Sequence, residues 1–234
     1  MTVTLLVLTW NEIDGMRAIM PRIRPEWVDQ ILVLDGGSTD GTIEYATEHG
    51  YEVYIQKKRG VREGMREVLP LIRGEVVITF SPDGNSIPEL IPPLMAKMRE
   101  GYDMVIVSRY LDRAKSYDDD RVTAFGNWLM TKTVNLLFGG RYTDMIVIFR
   151  AHKKRLIYDL ELDKDEGYRL AERIVGMKIA WEPLLSIRAA KRGLKVGEIP
   201  GDEPPRIGGT RKLKVFRYGL AYFIQFAREF FCWR

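Results

Sequence analysis

Short apolar runs alternate with amphipathic stretches along the first half of the chain. The runs are rich in β-branched residues and are bounded by polar or glycine-containing segments, which is typical of strands. They are Val3–Thr9, Ile31–Leu34, Glu52–Ile55, Val76–Phe80 and Met104–Val107. Apolar positions recur at helical spacing in the stretches between them, at Asp14–Ile23, Thr39–Glu48, Val61–Ile72 and Pro88–Arg99. This alternation predicts an α/β fold with a mostly parallel central sheet flanked by helices.

The second half of the chain has a less regular pattern. Two further apolar runs predict strands, at Met145–Phe149 and Lys195–Ile199, and two amphipathic stretches predict helices, at Thr123–Leu137 and Pro183–Arg192. At Phe216–Phe231 aromatic residues recur on one side of a helical pattern, which predicts a C-terminal amphipathic helix. Its aromatic face either packs on the sheet or lies in a membrane interface, beside the basic residues of this end of the chain.

Length and composition narrow both the architecture and the chemistry. With 234 residues, of which 46% are hydrophobic, the chain suits one domain with a single core. Cys232 is its one cysteine and only two histidines are present, so an intramolecular disulfide and a cysteine-based metal site are excluded. A divalent cation would bind carboxylate and amide oxygens, which favours Mg²⁺ or Mn²⁺. The single cysteine also fits a reducing compartment.

The two ends of the chain bear on location and partners. The N-terminal residues Met1–Leu5 lack the basic region and cleavage pattern of a signal peptide. No apolar run reaches the roughly eighteen residues that span a bilayer, so we expect a cytoplasmic protein without a transmembrane helix. From Lys191 to Arg234 basic residues outnumber acidic ones, which indicates an anionic partner such as phosphate groups, a lipid surface or nucleic acid.

Three polar segments each follow a predicted strand: Thr9-Trp10-Asn11-Glu12, Asp35-Gly36-Gly37-Ser38 and Ser81-Pro82-Asp83. We expect them to lie close together, because the carboxyl ends of parallel strands meet at one edge of the sheet. A carboxylate such as Asp35 can accept a hydrogen bond from a base N–H or a ribose hydroxyl there. Asp83 and Asn85, at alternate positions, can hold a metal that bridges a diphosphate. Taken singly, these segments are explained at least as well as ordinary turns.

Taken together and in this order, the motifs resemble the nucleotide-binding part of the GT-A glycosyltransferases of family 2, and in particular the dolichol-phosphate mannose synthase branch. The segment Ser81–Glu89 is similar to that branch's Asp-x-Asp-x-Gln segment followed by Pro-Glu, and Ser108-Arg109-Tyr110 to its Ser-Arg-Tyr. Asp144 with Phe149-Arg150 resembles its Asp…Gly-Phe-Arg stretch, and Arg206–Leu213 resembles its Arg-x-x-Gly-x-Ser-Lys-Leu loop. The resemblance covers roughly residues 3–214.

The resemblance implies a GT-A fold in residues 1–214, with a nucleotide-binding half (1–107) and an acceptor half (108–214), followed by the amphipathic helix in 215–234. It implies a pocket for a nucleoside-diphosphate sugar, lined by Thr9, Trp10, Glu12, Asp35, Ser81, Pro82 and Asp83. It implies a Mg²⁺ or Mn²⁺ site at Asp83 and Asn85. The residues that it assigns to catalysis are Asp83, Arg109, Asp144, Arg206 and Lys212, of which Arg109, Arg206 and Lys212 would contact phosphates.

Four departures from the branch's pattern concern the sugar and the acceptor more than the reaction. Ser81 replaces the first acid of the metal motif and so removes one carboxylate ligand. Gly36 stands where a second aspartate usually follows the second strand. The apolar run Met145–Ile148 replaces a polar stretch of small residues, and Arg211 replaces a serine.

The function that the resemblance implies is metal-dependent, inverting transfer of a sugar from GDP-mannose or a UDP-sugar to a polyprenyl or dolichyl phosphate. A phosphate monoester is already anionic near neutral pH, so its attack on the anomeric carbon needs no general base. A lipid acceptor also implies peripheral contact with the cytoplasmic face of a membrane and no nucleic-acid partner. If the acceptor is instead a hydroxyl group, a carboxylate base is required, and Asp144 and then Glu166 are the candidates.

Other functions remain alternatives. A nucleotidyltransferase typically has a glycine-rich, basic loop after its first strand, where this chain has Thr9-Trp10-Asn11-Glu12. A dinucleotide oxidoreductase needs a Gly-x-Gly-x-x-Gly motif at that place. A nucleic-acid-binding module could use the basic C-terminal region, although its Pro- and Gly-rich segment looks more like a substrate loop. The loss of an acid at Ser81 also allows an inactive protein that only binds nucleotide sugars.

Overall fold

The strands of this computed structural model, which describes residues 1–208 and 215–233, form one twisted sheet. Seven strands of the described residues pair in the spatial order β3-β2-β1-β4-β6-β5-β7. They are β1 (Val3–Thr9), β2 (Gln30–Asp35), β3 (Glu52–Ile55), β4 (Val76–Phe80), β5 (Met104–Ser108), β6 (Arg150–Lys153) and β7 (Val196–Pro200). All neighbours are parallel except β6, which runs antiparallel to β4 and β5. The predicted mostly parallel sheet is confirmed.

Helices cover both faces of this sheet. Within the described residues they are α1 (Ile13–Ile19), α2 (Thr42–Glu48), α3 (Val61–Val68), α4 (Ile91–Arg99), α5 (Arg121–Phe138), α6 (Leu156–Asp159), α7 (Arg169–Val175), α8 (Glu182–Lys191) and α9 (Val215–Phe231). Short 3₁₀ turns extend α1 and α3, precede β2 and precede α4. The sequence predicted all of these α-helices except the short α6 and α7.

Alternate residues of the central strands supply two cores, one on each face of the sheet. Leu5 and Val7 belong to one core together with side chains of α1 and α4, and Leu6 belongs to the other with side chains of α3, α5 and α7–α9. The strands β4 and β5 are buried along their whole length, whereas β3 and β7 at the sheet edges are partly exposed. Burial on both faces explains why the central strands were visible as continuous apolar runs.

The strand predicted at Met145–Phe149 is wrong in position, because this run is irregular and the strand begins at Arg150. The Arg150 guanidinium donates to the carbonyl oxygens of Met145 (Nη2, 3.1 Å) and Val147 (Nε, 2.8 Å). These carbonyl groups therefore have partners without a neighbouring strand. The strand that does form carries two fully buried polar side chains, Arg150 and His152, and an apolar pattern does not predict such a strand.

The C-terminal helix α9 packs on α5, α7 and α8, and its buried apolar side chains belong to the core on that face of the sheet. Its inner side buries Tyr222 and Phe226, and Glu229 pairs there with Arg188 (Nε–Oε2 2.8 Å, Nη2–Oε1 3.1 Å). These two charged side chains are 0% and 1% exposed, respectively. None of the described helices combines the length and the apolar composition needed to cross a membrane. The division of the chain at residues 214 and 215 stays a prediction.

Glu229→Gln should lower the free energy of unfolding by about 3 kcal/mol, because it leaves the Arg188 charge buried without its carboxylate. Chemical denaturation checks this. The matched control is Glu89→Gln, which removes a carboxylate from the exposed Arg22–Glu89 pair (2.7 Å) and should cost no more than about 1 kcal/mol. Equal losses in the two variants would show that the buried pair does not anchor α9.

Candidate active site

The segments that follow β1 and β2 are hydrogen-bonded to each other at the carboxyl edge of the sheet. The hydroxyl of Thr9 donates to Asp35 Oδ2 (2.8 Å), and the backbone N–H of Asn11 donates to Ser38 Oγ (2.8 Å). In return the N–H of Thr39 donates to Asn11 Oδ1 (2.8 Å). The two segments thus form one polar surface, as the strand directions predicted.

Asp35 shapes its own loop. Its side chain is fully buried, and its oxygens accept hydrogen bonds from the N–H groups of Gly37 (2.8 Å) and Ser38 (2.7 Å) and from the hydroxyls of Ser38 (2.6 Å) and Thr9 (2.8 Å). Because the Asp35 carboxylate already accepts four hydrogen bonds, it stabilises the conformation of the loop that follows β2. A direct contact between Asp35 and a nucleoside therefore stays a prediction.

Two glycines allow the site segments to approach closely. A Cβ atom at Gly36 would lie 3.2 Å from the ring of Trp10, whose side chain covers this part of the loop. A Cβ atom at Gly15 in α1 would lie 2.3 Å from the carbonyl oxygen of Pro82. The Trp10 indole therefore occupies the space beside Gly36, the position at which the resembled branch usually has an aspartate. The backbone of Pro82 contacts α1 at Gly15.

Asp83 lies in a tight turn directly after β4 and is 5% exposed. Its Oδ1 accepts a hydrogen bond from the N–H of Asn85 (3.1 Å), and its Oδ2 pairs with Arg206 Nη1 (2.6 Å). The carbonyl oxygen of Asp83 accepts from the N–H of Ile207 (2.7 Å). The segment after β7 therefore folds back onto the turn after β4 and brings an arginine to the proposed metal ligand.

Asp118 adds a second carboxylate at this point, from the loop between β5 and α5. Asn85 Nδ2 donates to Asp118 Oδ2 (3.1 Å), and Arg206 Nη2 lies 3.9 Å from the same oxygen. One guanidinium therefore bridges two carboxylates that come from different strands. Asn85 Oδ1 is buried and has no hydrogen-bond partner within the described part of the chain.

The donor set suits Mg²⁺ or Mn²⁺ when part of the coordination comes from a ligand. In residues 1–208 and 215–233, no group of three or more His, Cys, Asp and Glu side chains could hold a metal ion. The Asp83 carboxylate and the unpartnered Asn85 Oδ1 are hard oxygen donors, however, and Mg²⁺ commonly takes one or two carboxylates together with phosphate oxygens and water. Asp83 and Asn85 thus fit the predicted ion, and their role as ligands stays a prediction.

Arg109, directly after β5, is surrounded by three carboxylates. Its Nε lies 2.6 Å from Asp144 Oδ2, and its Nη1 lies 3.1 Å from Glu203 Oε2 and 3.5 Å from Asp119 Oδ2. Burial alone would lower the pKa of the guanidinium, but the three carboxylates, Asp144 foremost, raise this pKa well above its usual value. The charge of Arg109 is thus compensated within the protein before any phosphate group arrives.

Asp144 lies behind Arg109 and is fully buried. Its Oδ1 accepts from Asn127 Nδ2 (3.0 Å) and from Arg109 Nη2 (3.1 Å). Burial alone would raise the pKa of the Asp144 carboxyl, but Arg109 and Asn127 hold it below its usual value. Such a carboxylate is a weak proton acceptor, so in this geometry it orients Arg109. Glu166, the other candidate base, is exposed and does not line the cavity described next.

A single cavity of about 1030 Å³ joins these groups. Of the residues singled out in the sequence, its wall includes Thr9, Trp10, Glu12, Ser81, Asp83, Asn85, Arg109 and Arg206. Three others, Asp35, Pro82 and Asp144, do not line it. Lys212 lies outside the described residues. The volume is at the upper end of the range for small-molecule sites.

The cavity wall also contains residues that the sequence had not singled out. They include the acids Asp118, Asp119, Glu182, Asp202 and Glu203, the basic residues Arg59 and Lys178 and, on α5 and α9, the apolar or aromatic residues Met130, Tyr218 and Tyr222. In the sequence, the acids before α5 look like an ordinary charged loop. Glu203 looks like an ordinary polar residue before two prolines. No local pattern distinguishes them from surface acids, because their partners lie far away along the chain.

Sequence comparison places the chain among known enzymes. A profile of glycosyl transferase family 2 matches residues 6–163, more than half of the chain. Glycosyltransferase AglJ of Haloferax volcanii is 28% identical over 229 residues, which are 97% of this chain and 71% of that protein. The dolichyl-phosphate hexose transferase of the same organism is 28% identical over 216 residues, which cover 91% and 87%. Undecaprenyl-phosphate mannosyltransferase of Micrococcus luteus is 26% identical over 246 residues, which cover 94% and 95%.

Solved structures show the same architecture. Glucosyl-3-phosphoglycerate synthase from Mycobacterium tuberculosis, in complex with Mn²⁺, UDP-glucose and phosphoglyceric acid, gives a TM-score of 0.68 at 19% identity, over 97% of this chain and 80% of that one. Mannosyl-3-phosphoglycerate synthase from Rubrobacter xylanophilus gives 0.67 at 20% identity, over 97% and 73%. Likeness at this level concerns the fold, and the predicted GT-A fold is confirmed.

The segment matched by the family profile runs from β1 past β6. It therefore contains the three polar segments at the carboxyl edge of the sheet, together with Arg109 and Asp144. The relatives extend the similarity over nearly the whole chain. Fold, site and sequence agree, and the chain belongs to glycosyltransferase family 2 and is a glycosyltransferase.

Proposed function

We propose that the protein transfers a hexose, with inversion and with a divalent metal, from GDP-mannose or a UDP-sugar to a polyprenyl or dolichyl phosphate. The observation that carries this proposal is the continuity of the cavity. It joins the turn at Asp83 and Asn85 to a wall on α5 and α9 that includes Met130, Tyr218 and Tyr222. The polar end suits a diphosphate and the apolar side suits a prenyl chain. The names of two relatives refer to dolichyl phosphate and undecaprenyl phosphate acceptors.

The donor would lie along the carboxyl edge of the sheet. Thr9, Trp10 and Glu12 line the cavity where the nucleoside is expected, and Asp83 with Asn85 would hold Mg²⁺ or Mn²⁺. When bound, such an ion neutralises negative charge on a departing nucleoside diphosphate. The Arg206 guanidinium, which bridges Asp83 and Asp118, carries further donor atoms with which it can pair with phosphate oxygens.

The acceptor chemistry agrees with the arrangement of the acids. A lipid phosphate attacks the anomeric carbon without a base, so the protein needs to position it and to neutralise charge. Asp144, the first candidate base, is held by Arg109 and Asn127 and does not line the cavity. Arg206 and, by resemblance, Lys212 would neutralise phosphate charge, while Arg109 would hold the loops that carry Asp119 and Glu203 in place.

A hydroxyl acceptor is the second candidate, and Glu203 favours it. This residue lines the cavity, and burial raises the pKa of its carboxyl against the opposing effect of Arg109. A carboxylate with a raised pKa suits a general base. The test is incubation of the protein, Mn²⁺ and a labelled donor with undecaprenyl phosphate or with hydroxyl acceptors. Label on the lipid phosphate supports the first function, label only on hydroxyls supports the second, and no transfer from any donor supports an inactive binding protein.

We further propose peripheral contact with the cytoplasmic face of a membrane. The first half of α5 exposes Val122 (54%), Phe125 (60%) and Trp128 (54%), and neighbouring α9 exposes Phe216 (84%) and Leu220 (53%). The same two helices contribute apolar and aromatic residues, such as Met130 and Tyr222, to the cavity wall. Aromatic and aliphatic side chains exposed on amphipathic helices suit the boundary between headgroups and acyl chains. A lipid-borne phosphate could then enter the cavity beside these helices.

Asp83→Ala should abolish metal-dependent donor binding, because it removes the one carboxylate that the motif retains. Ser81→Asp should strengthen metal-dependent donor binding, because it restores a second carboxylate to the motif. Thermal denaturation with UDP-glucose and with GDP-mannose, with and without Mn²⁺, measures both effects. A donor at about a hundredfold excess over its dissociation constant should stabilise the wild type by about 2.7 kcal/mol, and this gain should vanish in Asp83→Ala.

The control for the metal site is Asp159→Ala, which removes a half-exposed carboxylate of α6 outside the cavity. It should retain the whole metal-dependent gain. Because Asp83→Ala also breaks the ion pair with Arg206, the stability without ligand is measured in parallel. Donor affinity that is unchanged in Asp83→Ala, in the presence of Mn²⁺, would refute the assignment of the site.

The triple variant Phe125→Ser, Trp128→Ser, Phe216→Ser should lose vesicle binding by about tenfold or more, because each buried aromatic side chain contributes on the order of 1.5–3 kcal/mol. Flotation with vesicles of anionic and of zwitterionic phospholipid measures this. The control pair Ile55→Ser, Leu71→Ser changes exposed apolar residues near the other edge of the sheet and should bind as the wild type does. Deletion of α9 is unsuitable, since it also removes the buried Glu229. Equal flotation of the triple variant and the wild type would exclude this docking surface.

A further inference from the structure

Glu182 is a buried carboxylate without a partner in the wall of the cavity. It begins α8 and is 2% exposed, and neither of its carboxylate oxygens has a hydrogen-bond partner in the described residues. It lines the same cavity as Asp83 and Arg206. No motif in the sequence points to Glu182, and it has no part in the transfer proposed above.

The surroundings of this carboxylate do not satisfy it. The charged or titratable groups that act on it are Arg150 and the phenols of Tyr168, Tyr218 and Tyr222. The Arg150 guanidinium is directed at carbonyl oxygens, including the backbone oxygen of Glu182 (3.3 Å), and not at its carboxylate. Burial raises the pKa of the Glu182 carboxyl, against the opposing effects of Arg150 and of the backbone N–H group of Glu182 itself. An acceptor in this state destabilises the empty protein, which is a pattern found at binding sites.

The chemistry of the side chain limits what can bind there. A carboxylate accepts hydrogen bonds and donates none when ionised, so its ligand must bring hydrogen-bond donors. A phosphate group would be repelled, and a prenyl chain would leave the carboxylate as unpaired as it is now. Hydroxyl groups satisfy it, and vicinal hydroxyls can occupy both oxygens. The hydroxyl-rich part of a donor bound at Asp83 is its hexose.

We propose that Glu182 binds hydroxyl groups of the donor's hexose and so helps to determine which sugar is transferred. This inference rests on the proposed function, because it requires a nucleoside-diphosphate sugar in the cavity. The wall around Glu182 explains why such a contact would be selective. Tyr218, Tyr222 and Pro183 line the cavity together with it and offer mainly apolar surface. A hydroxyl at the wrong position would therefore leave the carboxylate unpaired, which discriminates more strongly than shape alone.

Isothermal titration of UDP, UDP-glucose, GDP and GDP-mannose, with Mn²⁺, tests the proposal in the full-length wild type and in Glu182→Gln and Glu182→Leu. The measured quantity is the gain in affinity of a nucleotide sugar over its nucleotide. This gain should fall about ten- to a hundredfold in Glu182→Leu, as expected for a lost hydrogen bond to a charged group, with nucleotide affinity unchanged. A deoxy-sugar donor that lacks the contacted hydroxyl should lose the same factor in the wild type and little in Glu182→Leu.

Thermal stability without ligand separates this role from a structural one. Glu182→Gln should unfold at a temperature close to that of the wild type, because the removal of a buried carboxylate without hydrogen bonds in the described residues offsets the loss of its attraction to the buried Arg150 guanidinium. The control Glu229→Gln breaks a satisfied buried pair outside the cavity, so it should lower stability and keep the sugar-dependent gain. The inference would be overturned if both Glu182 variants kept the gain in affinity of a nucleotide sugar over its nucleotide. It would also be overturned if they lost this gain together with nucleotide affinity and stability. A wild type that binds nucleotide sugars no more tightly than nucleotides would overturn the proposed function as well.

Discussion

The parallel pairing of β2, β1 and β4 determines where the polar segments that follow these three strands lie. In this register Thr9 is opposite Asp35, and Val7 is opposite Phe80, so the three strands end close to one level. The backbone groups of the strands are used in the sheet, and the polar residues just beyond are available for one another and for ligands. The hydrogen bonds of Asn11 with Ser38 and with Thr39 follow directly from this alignment.

Buried charges organise the second half of the chain, where strand register gives less guidance. Arg109 forms ion pairs with carboxylates from three separate segments. It thereby connects the loop before α5, the loop before β6 and the segment after β7. Separation of one segment from such a group would leave a buried charge uncompensated, which costs several kcal/mol of free energy. This cost keeps the segments together. Arg188 connects α8 and α9 in the same way. The irregular half of the chain is therefore ordered by a few ion pairs as well as by its core.

Some polar atoms in the wall of the cavity are buried without a hydrogen bond within the described residues. Asn85 Oδ1 and both carboxylate oxygens of Glu182 are buried without hydrogen bonds in the part of the chain that the structure describes. Native interiors contain few such atoms, since each one costs stability. Some such atoms lie elsewhere in the protein, such as His152 Nε2 and Gln225 Oε1, but Asn85 and Glu182 both line the cavity, at its polar turn and at its more apolar side. Under the proposals above, a metal ion would satisfy Asn85 Oδ1 and hydroxyl groups of the sugar would satisfy Glu182.

The sequence by itself determined the α/β class, the central strands, most helices and the family, and it identified the turn at Asp83. These features have local signals: strands buried on both faces are continuous apolar runs, and the segments after them keep a regular order. The sequence misplaced β6, because its buried Arg150 and His152 have the appearance of surface residues. Only the tertiary structure placed Asp35 and Asp144 outside the lining of the cavity and brought Asp118, Glu182 and Glu203 into it. The side chain of Arg109 meets Glu203, which is 94 residues away. The state of a buried charge depends on such distant partners, and local pattern carries no information about them.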